Sequence, residues 1–174
     1  MEKIRIFMEE ICRRIVNKPV KYIGRASSML CLGLGEKKIS NISYNEKLTE
    51  VYEYYIHVQC PWRIVDLSNK KIIVASGDIY EPRTDDVNIE KFDWEIENNN
   101  LFDIKSKQWI EGLNDLRIVD IKINFNSDLF IMFSYNNILE TFTEWSNNSE
   151  CWRIFKSRRD IKENSEHLIG DSNR

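Results

Sequence analysis

The chain has little of what recognisable catalytic and membrane motifs are built from. Its 174 residues include two histidines, four cysteines, six glycines and three prolines. No apolar run approaches the roughly 20 residues needed to cross a bilayer. The longest, such as Leu129 to Phe133, are strand-sized, so no membrane partner is expected. The opening "MEKIRIFMEEICRRIV" does not read as an export leader, because Glu2, Glu9, Glu10, Arg13 and Arg14 break its apolar stretch. The expected location is therefore the cytoplasm.

Cys12, Cys31, Cys60 and Cys151 form no C-x-x-C pair, so the usual zinc and redox spacings are missing. In a reducing compartment they are expected as free thiols that behave as small apolar side chains. A metal site needs about three protein ligands, which two histidines and scattered cysteines do not supply; no metal and no cofactor is expected. Gly33 and Gly35 lack the following lysine, hydroxyl and helix of a phosphate loop. No serine sits in a G-x-S-x-G setting. The net charge of −3 argues against a general nucleic-acid binder, and no nucleic-acid partner is expected. Asp85, Asp86, Glu90, Asp93 and Glu95 lack the glycine and spacing of a calcium loop and read as solvated. The basic run "KSRRDIK" reads as an exposed tail.

What is present is the pattern of an α+β domain. Hydrophobic content of 42% and charged content of 30% are ordinary for a globular protein. The length suits a single domain over 1–174, and a chain of this size buries roughly 70% of its unfolded surface. Ile4, Phe7, Met8, Ile11, Cys12 and Ile15 recur at helical spacing, predicting a helix over 1–17. Arg13, Arg14 and Lys18 suit its C-terminal end, and Asn17 with Pro19 stops it.

A β-rich body over 20–155 follows. Val20 to Ala26 and Met29 to Leu34 read as two strands joined at Ser27 and Ser28, with Gly33 and Gly35 marking a bulge or a close backbone approach. Tyr52, Tyr54, Ile56, Val58, Cys60, Trp62 and Ile64 alternate with mostly polar neighbours. This is one long strand, too long to stay straight, with its bend at Pro61. "KIIVASGDIY", 71 to 80, reads as its hairpin partner. The segment 81–100 is a polar excursion tacked down by Phe92 and Trp94, followed by a short helix near Ser106 to Leu113.

Val119, Ile121, Ile123 and Phe125 form the apolar row of a further strand, with Ile118 out of phase. "DLFIMFSY" is apolar on both faces and reads as an interior strand. Asn136 and Asn137 suit a two-residue turn into "ILETFTEW". "CWRIF" ends the body, and 156–174 is a charged tail ordered near His167 to Ile169. The expectation is an N-terminal helix followed by a mostly antiparallel, meandering twisted sheet of seven or eight strands.

"CPWRIV" at 60–65 recurs as "CWRIF" at 151–155, too little for a repeat protein. Read together, "GRASSMLCLGLG", "YIHVQCPWRIV", "ASGDIYEP" and "ECWRIF…EHLIG" resemble an uncharacterised family of small bacterial proteins. That family carries an HVQCxWRI strand, a later WRxF strand and a histidine near the C-terminus. The resemblance spans about a third of the chain, and the chain departs from it in a short, polar C-terminal segment. It implies no activity. Small proteins of this kind resemble immunity or accessory proteins of bacterial toxin systems.

The candidate binding residues are His57, Gln59, Arg63, Asp78, Arg153 and His167. His57, Gln59 and Arg63 share one strand face. If 52–64 paired with 71–80, Asp78 would approach His57 or Gln59. A histidine, a carboxylate and two arginines on one face would bind an anion or a carboxylate-bearing partner. The bland alternative has Arg63 and Arg153 lying on the sheet, stacked on aromatics and paired with Asp66, Asp78 or Glu150. No catalytic residue is assigned: Cys60 and His57 face opposite sides, and the apolar surroundings of Cys60 leave its thiol inert. The sequence therefore predicts a non-enzymatic intracellular protein-binding module with a protein partner. The alternative is a small-molecule or anion-binding domain, or an enzyme, that uses the His/Arg/Asp cluster on the sheet.

Overall fold

In the computed structural model, residues 2–40, 49–84, 89–147, 149–158, 163 and 166–171 are described. The Ile4, Phe7 and Met8 side chains, Asp85, Asp86 and most of the basic run lie outside them. The first element is helix α1, Glu2–Ile15. Ile11 and Ile15, one turn apart, are buried in the core. Asn17 adopts a positive φ of 66°, the left-handed exit that asparagine tolerates, and its N–H donates to the Ile118 carbonyl at 2.8 Å.

Ten strands follow among the described residues, arranged as two five-stranded antiparallel sheets. The α+β class and antiparallel pairing agree with the sequence pattern, while a single sheet of seven or eight strands does not. The first sheet has the order β1-β2-β3-β9-β10: β1 Val20–Ala26, β2 Met29–Ser40, β3 Thr49–Val58, β9 Glu150–Lys156 and β10 His167–Asp171. The second has the order β5-β4-β8-β7-β6: β4 Trp62–Asp66, β5 Lys71–Ala75, β6 Ile118–Ile123, β7 Leu129–Phe133 and β8 Asn137–Thr141.

The division falls within the expected long strand. β3 ends at Val58, and the N–H groups of Gln59 and Cys60 both donate to the Cys151 carbonyl, at 2.8 and 3.2 Å. Pro61 donates to no ladder, and Trp62 begins β4 in the other sheet. The apolar row crosses this corner without changing face. Tyr54, Ile56, Val58, Cys60, Trp62 and Ile64 are all buried. Strands that switch sheets at a bend keep their inward alternation, so the sequence carried no sign that two sheets were being served. Tyr52 leaves the row and turns to the opposite face, where it meets Tyr22 and Tyr55.

Three other expectations shift. The hairpin partner of β4 is shorter than expected, Lys71–Ala75, because Ser76–Tyr80 winds into a 3-10 turn. In the β7–β8 hairpin the positive-φ residues are Tyr135 and Asn136, while Asn137 is the first residue of β8 with a buried amide. In β6, Ile118 is the buried residue. The register slips between Ile118 and Asp120, leaving Val119 exposed as the extra residue. Phe125 lies beyond the strand and is 89% exposed.

Buried side chains of both sheets, of α1 and of a second helix form one hydrophobic cluster. That helix, α2, is Leu101–Glu111, with the Asn100 side chain accepting from the Asp103 N–H as its N-cap. Its buried residues Phe102, Ser106 and Trp109 define one face, and it packs against both β1 and β5, an edge strand of each sheet. The polar excursion is anchored beside it. Arg25 donates from Nε to Asp103 Oδ1 at 2.9 Å and from Nη2 to the Trp94 carbonyl at 2.9 Å. Trp94, as expected, holds the excursion to the core, and it meets the Tyr80 ring at 5.1 Å. No helix among the described residues is long and apolar enough to cross a membrane.

Trp62 and Trp152, from the two WRI stretches, are 2% and 0% exposed. Trp109 is also core, and Trp145 is exposed. The Trp152 indole N–H donates to the Ser127 carbonyl at 2.6 Å, linking the first sheet to the turn before β7. The Trp62 indole N–H is buried with no partner among the described residues. Trp62→Ala should cost about 3–5 kcal/mol of unfolding free energy. Trp152→Phe should cost roughly 1–3 kcal/mol more than Trp62→Phe, because only it strands a carbonyl. Urea denaturation of the three variants measures both differences.

Candidate binding face

The strand register gathers aromatic side chains on the outward face of the first sheet. Tyr22, Gly33, Tyr55, Phe155 and His167 are successive register partners across all five strands. Gly33 contributes no side chain, and the ring of Tyr52 lies in that gap. A Cβ on Gly33 would come within 2.4 Å of the Tyr52 ring. The rings then touch in sequence. Tyr22 stacks on Tyr52 with centroids 6.0 Å apart, and Tyr52 meets Tyr55 edge-on at 5.9 Å. Tyr55 stacks on Phe155 at 5.5 Å and 20°, and Phe155 on His167 at 5.5 Å and 20°. The spacing of these last three approaches that of neighbouring strands. They therefore stand like plates, faces toward one another and edges outward. Tyr22 is exposed and the others are half-buried.

The adjacent register row carries Cys31, His57, Arg153 and Ile169. His57 sits edge-on to Phe155 at 4.8 Å. Arg153 donates from Nε to Glu150 at 3.0 Å and pairs with it again through its terminal nitrogen. The Gln59 amide also reaches Glu150, at 3.4 Å. Four of the six candidate residues, His57, Gln59, Arg153 and His167, thus lie on or beside this face. The other two do not join them. Arg63 belongs to β4 in the second sheet, where Nε donates to Glu140 at 2.6 Å and the guanidinium lies 5.2 Å from the Phe142 ring centroid. Asp78 sits in the 3-10 turn instead of a strand, accepts from the Ala75 N–H at 3.0 Å, and pairs with Lys105. The expected four-residue His/Arg/Asp cluster does not form, because the corner at Pro61 sends Arg63 and Asp78 away with the second sheet. The Arg153–Glu150 pair is the one expected from the bland reading, whereas Arg63 chose Glu140.

Comparisons with protein-family models, with curated proteins and with solved structures returned no match.

The electrostatics of the face favour neutral groups. Burial lowers the pKa of His57, and the neighbouring Arg153 lowers it further against the opposing pull of Glu150. His167 is lowered by burial, then by Arg153 and Arg158, again opposed by Glu150. Its Nδ1 is buried without a partner among the described residues. Cys31 is the register neighbour of His57, a pairing that sequence spacing does not reveal, but burial pushes its thiol up to about 11 and it faces the Met29 carbonyl. Cys60 is pushed up to about 12 by burial. No thiolate is generated beside either histidine, and among the described residues no three His, Cys, Asp or Glu side chains are grouped to hold a metal. The tyrosines and Phe155 were missed as site residues. Tyr55 and Phe155 stand in the otherwise polar outward rows of their strands, beside Glu53 and His57 and beside Arg153, and only the register shows that these positions align.

Both histidines fall below their ordinary value of 6.5 in the folded protein. Between that value and their folded pKa the unfolded chain binds more protons, so stability falls as pH falls. Unfolding free energy should therefore hold above about pH 7 and decline toward about pH 5, above the main carboxylate range. The double variant His57→Phe/His167→Phe should flatten that slope. A wild-type profile flat across this window would contradict the assignment.

Proposed function

We infer that the chain is a non-enzymatic protein-binding module that docks its partner on the outward face of the first sheet. One observation carries this reading: an aromatic row running across the five strands, on a face where Arg153 is already matched by Glu150. Tryptophan, tyrosine and arginine are the residues that dominate binding energy at protein interfaces. The stacked rings turn edges outward and spend their faces on one another, which suits an apolar protein surface better than nucleobases, since those need free ring faces. The overall charge of −3 points the same way. The partner that fits presents an apolar strip to the rings, because Arg153 is matched by Glu150 and both histidines are held neutral. An immunity-type role, with a toxin as that partner, is the sharpest form of the reading and rests on the resemblance of the strand motifs. An intracellular setting belongs to the same reading. The anion-binding alternative loses the convergence it required, since Arg63 and Asp78 are engaged elsewhere.

The test is a comparison of wild type, Phe155→Glu and the control Val119→Glu, which changes an exposed residue of the second sheet. Each is used as bait in the native host, and any recovered protein is titrated against the purified baits. A partner held by wild type and the control but weakened about a hundredfold by Phe155→Glu fits a central interface residue. Recovery of no protein, or equal binding by all three baits, would sink the proposal.

A further inference from the structure

A small recess, with Tyr52 in its wall, lies where the chain leaving α1 meets the ends of β2, β3 and β9. Its volume is about 140 Å³, below the roughly 300–1,000 Å³ of sites for drug-sized ligands. Lys18, Lys38, Glu53, Tyr54, Lys156 and Ser157 line it. One oxygen of Glu53 takes the Lys18 ammonium at 2.5 Å, and the other takes Lys38 at 2.5 Å. A single carboxylate thus holds two cations side by side and neutralises one of them. Lys156 meets Glu166 only at 3.9 Å, and Glu166 is engaged at 2.5 Å by Arg14. Each ammonium carries three donors, so the lysines keep donors to spare. The Ser157 hydroxyl is buried with no partner among the described residues, while its backbone N–H donates to the Glu53 carbonyl at 3.0 Å.

Surplus positive charge and unspent donors around a volume of this size are the chemistry of a small oxyanion site. We propose that this recess binds inorganic orthophosphate as its monohydrogen dianion. Ammonium groups act as point charges with divergent donors, which suit a tetrahedral ion, whereas planar carboxylates are matched by arginine forks. Glu53 is the selector. Its hydrogen bonds from Lys18 and Lys38 hold its carboxyl below the usual range, so it accepts and does not donate. Monohydrogen phosphate has an O–H to give it. Sulfate and an ionised phosphate monoester have only acceptors, and they meet the Glu53 carboxylate with unrelieved repulsion. The site stands independently of the protein-docking reading, because it is tested on the isolated chain.

The experiment is calorimetric titration of the full chain with potassium phosphate, sulfate and phenyl phosphate at constant ionic strength. A pH of about 7.5 keeps the monoester fully ionised, since its second pKa is about 6. The expected result is saturable phosphate binding, preferred about tenfold or more over the other two anions, the scale of one hydrogen bond to a charged group. Glu53→Gln, whose amide can donate, should strengthen sulfate binding and erase the preference. Ser157→Ala should weaken phosphate binding several-fold. Near-UV circular dichroism checks that each variant is folded. If Glu53→Gln does not fold, the wild-type anion preference and Ser157→Ala decide the question. Absence of saturable phosphate binding, equal affinity for the three anions in wild type, or a preference that survives in folded Glu53→Gln would overturn the proposal.

Discussion

The corner between Val58 and Trp62 is the constraint on which the rest of the structure depends. There an inward row of Ile56, Val58, Cys60, Trp62 and Ile64 passes from one sheet to the other while staying buried throughout. Pro61 ends one ladder, and the Cys151 carbonyl holds the bend by accepting two N–H groups. Burial of apolar area is the main favourable term in folding, and this row lets a single run of sequence contribute it to both sheets. The two halves of the molecule are consequently tied by covalent chain at the place where their cores meet.

The same corner sorts the polar residues. Everything before it on the outward side, Tyr55 and His57, stays with β9 and β10. Everything after it, Arg63 first, goes to Glu140 and Phe142 on the second sheet. α2 closes the opposite side by packing on an edge strand of each sheet. The Arg25–Asp103 pair, with both side chains about nine-tenths buried, ties β1 to that helix and to the backbone at Trp94. Breaking one partner of such a pair leaves an uncompensated buried charge, so this contact fixes the otherwise polar excursion.

Burial also sets the chemistry. Three cysteines are buried and their thiols are raised, while the two histidines are lowered, so the reactive side chains are neutral where they stand. On the outward face of the first sheet Arg153 is paired with Glu150. Around Glu53 the balance differs, since one carboxylate serves two lysines. The aromatic face offers shape and apolar contact, whereas the lysine recess offers charge.

Local pattern was enough for the parts that depend on local physics. The helix α1 with Ile11 and Ile15 turned to the core and its stop at Asn17, the inward alternation from Tyr54 to Ile64, the bend at Pro61, the interior strand β7 and the burial of Trp62 and Trp152 all follow from periodicity, propensity and turn chemistry in the sequence. Tertiary structure alone decided that the alternation serves two sheets, because a strand that turns a corner keeps its inward parity. It also decided which outward residues meet. Tyr22, Tyr55, Phe155 and His167 become neighbours only through inter-strand register, and register is a property of pairing between distant segments. For the same reason the separation of Arg63 and Asp78 from His57 and Arg153 was not legible: a side chain's parity gives the face it points from, while the sheet to which that face belongs is set by the whole chain's packing.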